Sequence, residues 1–131
     1  MGAFHFSQAA LPLLLKCTTA TVQYPPTLIF TGATGSLKGS AGFSTFASAK
    51  FAQRALAQSL AREFGPQGVH VGHVVIDGII DLPGSAGLLK DAGPNAKLDP
   101  GAIAENYWLL HTQPLSTFTH EIVIRPFGEV W

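Results

Sequence analysis

The segment TGATGSLKGSAGFSTFASAK, Thr31 to Lys50, holds the densest set of groups that could do chemistry in this sequence. Glycines and hydroxyls (Thr34, Ser36, Ser40, Ser44) crowd a loop leading into a helix, and Lys50 stands one helical turn after Phe46. Residues i and i+4 share a helix face, so a cation at 50 would tune a proton-transferring group at 46. Phenylalanine has no ionisable proton. The lysine is then read first as a solvated or salt-bridged cation, ahead of a functional role. Asp77 and Asp81 follow an apolar strand-like run and would serve either as acid/base carboxylates or as loop and capping residues. His70 and His73 are three apart on that run and face opposite sides, while His5, His111 and His120 are scattered, so no metal site is read. Tyr107 and Trp108 read as core or interface aromatics.

The elements that must position these groups follow from periodicity and punctuation. Ala3 to Lys16 reads as a helix with Phe6, Ala10, Leu13 and Leu14 on its inner stripe, and with Pro12 as a kinking defect. TLIF, Thr27 to Phe30, has the composition of a short strand. A second helix runs from Ser44, a good N-cap type, to Phe64, stopped by Gly65 and Pro66; Ala52, Leu56, Leu60 and Phe64 form its apolar stripe. VHVGHVVI, Val69 to Ile76, is apolar on both faces, as a buried parallel strand should be. Gly84 to Gly101 is irregular; Asp99 and Pro100 then start a helix to His111 with Ile103, Tyr107 and Leu110 inward, and His120 to Arg125 is a last strand. Alternating helices and strands predict an α/β fold, about three parallel strands flanked by helices in a partial Rossmann-like layer, with right-handed crossovers.

Composition bounds the function. The 131 residues suit a single domain, 1–131. Eight acidic and eight basic residues cancel without forming runs, which excludes nucleic acid as the main partner. The apolar run Leu11 to Leu15 is too short to span a bilayer and lacks the flanks of a signal peptide, so no membrane is expected. A single cysteine, Cys17, cannot form an internal disulfide, and a reducing, cytoplasmic setting is expected. Charged residues are only 12% against 47% hydrophobic, which calls for part of the surface to be covered by another chain.

Several collinear blocks resemble the C-terminal half of the short-chain dehydrogenase/reductase family: GAFHFSQAALPLLLK, LIFTGATGSLKGSAGFSTFASAKFA, LAQSLAREFGPQGVHVGHVVIDGIID and DPGAIAENYWLLHTQPLSTFTHEIVIRP. The resemblance implies a catalytic serine at Ala33, a proton-donating tyrosine at Phe46 and its partner lysine at Lys50. Two of the three are replaced. Thr34 and the nearby serines are the hydroxyls that a register slip would bring into the serine's place. Cofactor contacts are implied at Lys50, Gly78 and Ile80, although Asp77-Gly78 and Leu82 depart from the usual proline-glycine and threonine. Ser36, Leu37, Phe43, Ile79 and Ile80 would line an apolar substrate pocket. No glycine-rich dinucleotide unit is present, because TGATGS occupies the active-site segment.

The expectation is therefore a truncated, diverged and redox-incompetent homologue, needing no cofactor alone and acting as a binding or assembly module or a non-redox enzyme. The alternative is an NAD(P)-dependent oxidoreductase of small carbonyl or alcohol substrates whose cofactor half is supplied elsewhere. The resemblance also implies a homo-oligomer through helices 3–16 and 44–64, presenting Leu13, Leu14, Ala52, Leu56 and Leu60, and a small apolar ligand.

Overall fold

The computed structural model describes residues 2–19 and 22–130. Three strands, β1 (Thr27–Ala33), β2 (His70–Ile76) and β3 (Glu121–Ile124), form one parallel sheet in the order β1-β2-β3. Three helices pack on it: α1 (Gly2–Cys17), α2 (Ser44–Phe64) and α3 (Pro100–His111). β1 runs three residues beyond the expected Phe30. Gly32 and Ala33 pair with Val75 and Ile76, so the apolar partner strand carries a segment of poor strand propensity.

Alternation along the strands divides the core in two. Leu28, Phe30 and Val71 face α1 and α2 and pack with Leu11 and Ala57, while Val74 and Ile76 face α3 and pack with Leu98 and Leu110. β2 is buried along its whole length. Since the strand order advances in one direction while α2 and α3 lie on opposite faces, the two crossovers have opposite hands. The expectation that both are right-handed is thereby corrected. The long connection from Asp77 to Asp99 carries the chain to the other face, pinned by an Ile80–Leu98 bridge. Asp99 starts α3 as expected, its carboxylate accepting from Ala102 N at 2.7 Å.

Three further details differ from the sequence reading. The inner stripe of α1 is Ala3, Ser7, Leu11, Leu14 and Leu15, and Phe6 and Leu13 face outward. The N-cap of α2 is Phe43, which supplies no side-chain bond, and Ser44 is the first helical residue. Leu14, Leu56 and Leu60 pack on the chain's own core, so of the five residues expected at an interface only Leu13 and Ala52 stand exposed. Among the described residues, no helix is long and apolar enough to cross a membrane.

Candidate functional site

Parallel strands end together, and the turns after β1 and β2 meet at one edge of the sheet. There Ala33, Thr34, Gly35, Lys38, Ser40, Phe43, Phe46, Ile76, Gly78 and Ile79 line a cavity of about 450 Å³. Seven of the residues singled out from sequence converge in it: Ala33, Thr34, Ser40, Phe43, Phe46, Gly78 and Ile79. Phe43 and Phe46 meet edge to face, centroids 6.4 Å apart, at the partly open rim. The Phe46 ring lies on Gly35, where an added Cβ would come within 2.8 Å of ring carbons. Glycine is required there so that the ring can cover the turn.

Lys50 stands at the back of Phe46, not in the cavity. Its Nζ lies 5.9 Å from the Phe46 ring centroid and donates to the Thr31 carbonyl at 2.9 Å. His70 N–H bonds the Pro26 carbonyl, so the backbone N–H and C=O groups of even-numbered β1 residues point to β2 and those of odd-numbered ones to the open edge. The Thr31 carbonyl is therefore an edge group, and Lys50 caps it.

Ser36 is fully buried, its Oγ accepting from Ala33 N at 3.1 Å, and it closes the turn instead of lining the cavity. Leu37 is likewise outside the lining, and Ile80 packs on the α3-side core. Gly78 has φ +155°, and a Cβ there would meet Pro126 Cδ at 2.8 Å, so its glycine is explained by packing against the chain after β3.

Beneath the cavity, Thr34 Oγ1 donates to Asp77 Oδ1 at 2.6 Å, and Asp77 Oδ2 faces Arg125 Nε at 3.4 Å. The hydroxyl nearest the serine position is thus tied to a buried carboxylate whose charge is balanced by a guanidinium. Asp81 is a surface residue beside Lys97.

A second polar array crosses the opposite half of the same face. Arg54 grips Glu121 through two bonds of 2.8 and 2.7 Å, and Glu121 also accepts from His73 Nδ1 at 2.8 Å. A carboxylate only accepts, so the imidazole proton sits on Nδ1. The buried Nε2 has no hydrogen-bond partner among the described residues and faces Gly32. Burial pushes the His73 imidazole below its ordinary value, partly opposed by the Glu121 bond. The Arg54 hydrogen bond holds Glu121 below the usual carboxylate range, and the same bond raises Arg54. Sequence reading missed this array because its members are 67 and 48 positions apart. The one available signal was a histidine inside an otherwise apolar strand, which demands a partner. His70, on the other face, stacks on Phe118 and bonds the Thr119 carbonyl. No group of three or more metal-ligating side chains occurs among the described residues.

Two grooves flank the open edge of β1, each about 430 Å³. One is bounded by Phe6, Ile29, Thr31 and Lys50, and the other by Thr27, Ile29, Tyr107, Trp108 and His111.

A family model described as short chain dehydrogenase matches residues 1–90. Comparison with curated proteins found no match. Among solved structures, the chain is similar to a short-chain dehydrogenase from Rhodopseudomonas palustris, with 38% identity and a TM-score of 0.70 over 95% of this chain and 47% of that one. A short-chain dehydrogenase/reductase from Burkholderia xenovorans gives 25% identity and a TM-score of 0.75 over 95% and 49%. A serine dehydrogenase in its closed form with NADP+ shares the fold, with a TM-score of 0.80 and 16% identity, over 99% of this chain and 53% of that one. The chain spans about half the length of these relatives.

Proposed function

Because the chain belongs to the short chain dehydrogenase family, we propose that it is a redox-incompetent member whose cavity at the strand ends serves as a binding pocket for a small, largely apolar ligand. The observation that carries this reading is Phe46. Its ring lines the cavity where the proton donor would stand, and Lys50, the residue that would tune such a donor, is engaged by Thr31. General acid catalysis needs a proton within hydrogen-bond reach of the substrate. Of the two side-chain hydroxyls on the lining, Thr34 already donates to Asp77, and Ser40 is exposed to solvent. Nor do the residues present fit a nicotinamide cofactor: Lys50 is occupied at the strand edge, Ile80 lies in the core, and Gly78 is accounted for by Pro126. The test is reduction of a carbonyl panel with NADH and NADPH by the chain and by Phe46→Tyr with Ala33→Ser. Neither protein should consume cofactor, and turnover by the double variant alone would show that only the two side chains were missing.

The same chain is proposed to associate with itself. Phe4, Phe6 and Leu13 on α1 and Phe51 on α2 are exposed, an apolar surface that a small, weakly charged chain solvates poorly. Light scattering should report a dimer or larger assembly, reduced by Leu13→Glu with Phe51→Glu; a monomer at tens of micromolar would refute it.

A second reading is favoured by the open β1 edge. Seven residues of strand with a groove on either face form a seat for a further strand, and the relatives are about twice as long. On this reading the chain contributes to an NAD(P)-dependent oxidoreductase whose cofactor-binding part pairs along β1. Activity appearing only when the unmatched half of the Rhodopseudomonas palustris relative is co-expressed would support it.

A further inference from the structure

We infer that the ligand of the strand-end cavity is a small hydrophobic monocarboxylate, with Lys38 as the group that receives its anionic head. The inference rests on reading the cavity as a ligand pocket and names the chemistry of what enters it. Among the lining residues Lys38 alone is charged. It is exposed at the rim, and while its backbone N–H bonds the Thr34 carbonyl, its side chain makes no hydrogen bond or ion pair with any described residue, so its ammonium is available. The large apolar side chains of the rim and wall are Phe43, Phe46, Ile76 and Ile79, which offer a slot for an aromatic or branched body.

The surrounding charges agree in sign. No carboxylate lines the cavity, and the one beneath it, Asp77, is compensated by Arg125 and by the Thr34 hydroxyl. Lys50, behind the Phe46 ring, adds a second positive charge close by. Ser40 at the rim supplies a hydroxyl able to donate to the same head group. A cation or a dianion is a poorer match: the first meets like charge, and the second finds only the Lys38 ammonium on the lining, with Lys50 bonded to Thr31 behind the ring, and must desolvate its other charge without a direct partner.

The test uses 2-naphthylacetate, its uncharged amide and 2-naphthylethylamine, followed by naphthalene fluorescence anisotropy. The carboxylate should bind roughly fivefold tighter than the amide, the size of a half-exposed ion pair, and the amine should bind weakest. Lys38→Gln should bring carboxylate and amide to the same affinity, while Phe43→Ser should weaken both. Both side chains are exposed, so neither variant endangers folding. Equal binding of carboxylate and amide by the unmodified chain would overturn the anion assignment and leave the apolar pocket standing. No binding of any of the three at millimolar concentration would overturn both.

Discussion

Restoring a phenol at position 46 tests whether the electrostatics of proton donation survive. In Phe46→Tyr the new hydroxyl would sit on a ring whose centroid is 5.9 Å from Lys50 Nζ. At that distance a unit charge contributes about 0.7 kcal/mol with a water-like dielectric of ~80 and about 2.8 kcal/mol with an effective value of ~20. At about 1.36 kcal/mol per unit, these correspond to about 0.5 and about 2 pKa units of depression. The ring at this position is 46% exposed, and the ammonium is already bonded to Thr31, so the smaller figure applies. The introduced phenol should therefore titrate within about one unit of the ordinary value near 10. The assay is ultraviolet difference titration of the variant against the parent chain, repeated with Lys50→Met. The second substitution should raise the phenol by about half a unit. A phenol titrating below about 8.5 that climbs by about 2 units without Lys50 would refute the reasoning, since the helix face would then retain its tuning.

Acid should destabilise the fold. The depressed His73 contributes stability that is present above its unfolded value of 6.5 and falls as pH drops below it, and the depressed Glu121 adds a further loss as pH falls below its ordinary 4.5. Urea unfolding should therefore be flat from neutral pH upward and decline below about pH 6.5, with His73→Gln removing the upper part of the decline; an unchanged profile would assign it to other groups. Gly35→Ala should cost about 1–2 kcal/mol by displacing the Phe46 ring, and Phe46→Ala in the same chain should recover most of that, as a double-mutant cycle would show. Asp77→Asn should cost about 2–3 kcal/mol by removing the buried Asp77 charge from its pairing with Arg125, read from chemical denaturation; a change below about 0.5 kcal/mol would mean that the pair is incidental.

The fold was legible wherever punctuation was strong. Gly65-Pro66 ended α2 and Asp99-Pro100 opened α3 where the sequence placed them, since each acts through local backbone chemistry. The inner face of α1 was not legible, because Phe4, Phe6, Leu11, Leu13, Leu14 and Leu15 surround the helix and leave no unique stripe; only packing on the sheet selects one. In the site, Ala33, Phe46 and Gly78 were singled out by the family resemblance, and all three line the cavity. The destination of Lys50 was not legible, because a flexible four-carbon stem reaches several acceptors, and the structure chooses a strand-edge carbonyl. Ser36 looked like a ligand hydroxyl and is instead spent on its own turn, a local bond to which serines are prone. Lys38 carried a signal that went unread: a lone cation in a loop of small residues beside aromatic neighbours.

The central proposal is that this chain keeps part of the family's fold without a working cofactor site, and calorimetric titration of the purified chain with NAD(H) and NADP(H) tests it most directly. The account predicts no saturable heat up to about 1 mM, corresponding to binding weaker than about −4 kcal/mol. A one-to-one isotherm with micromolar affinity for either nucleotide would contradict it.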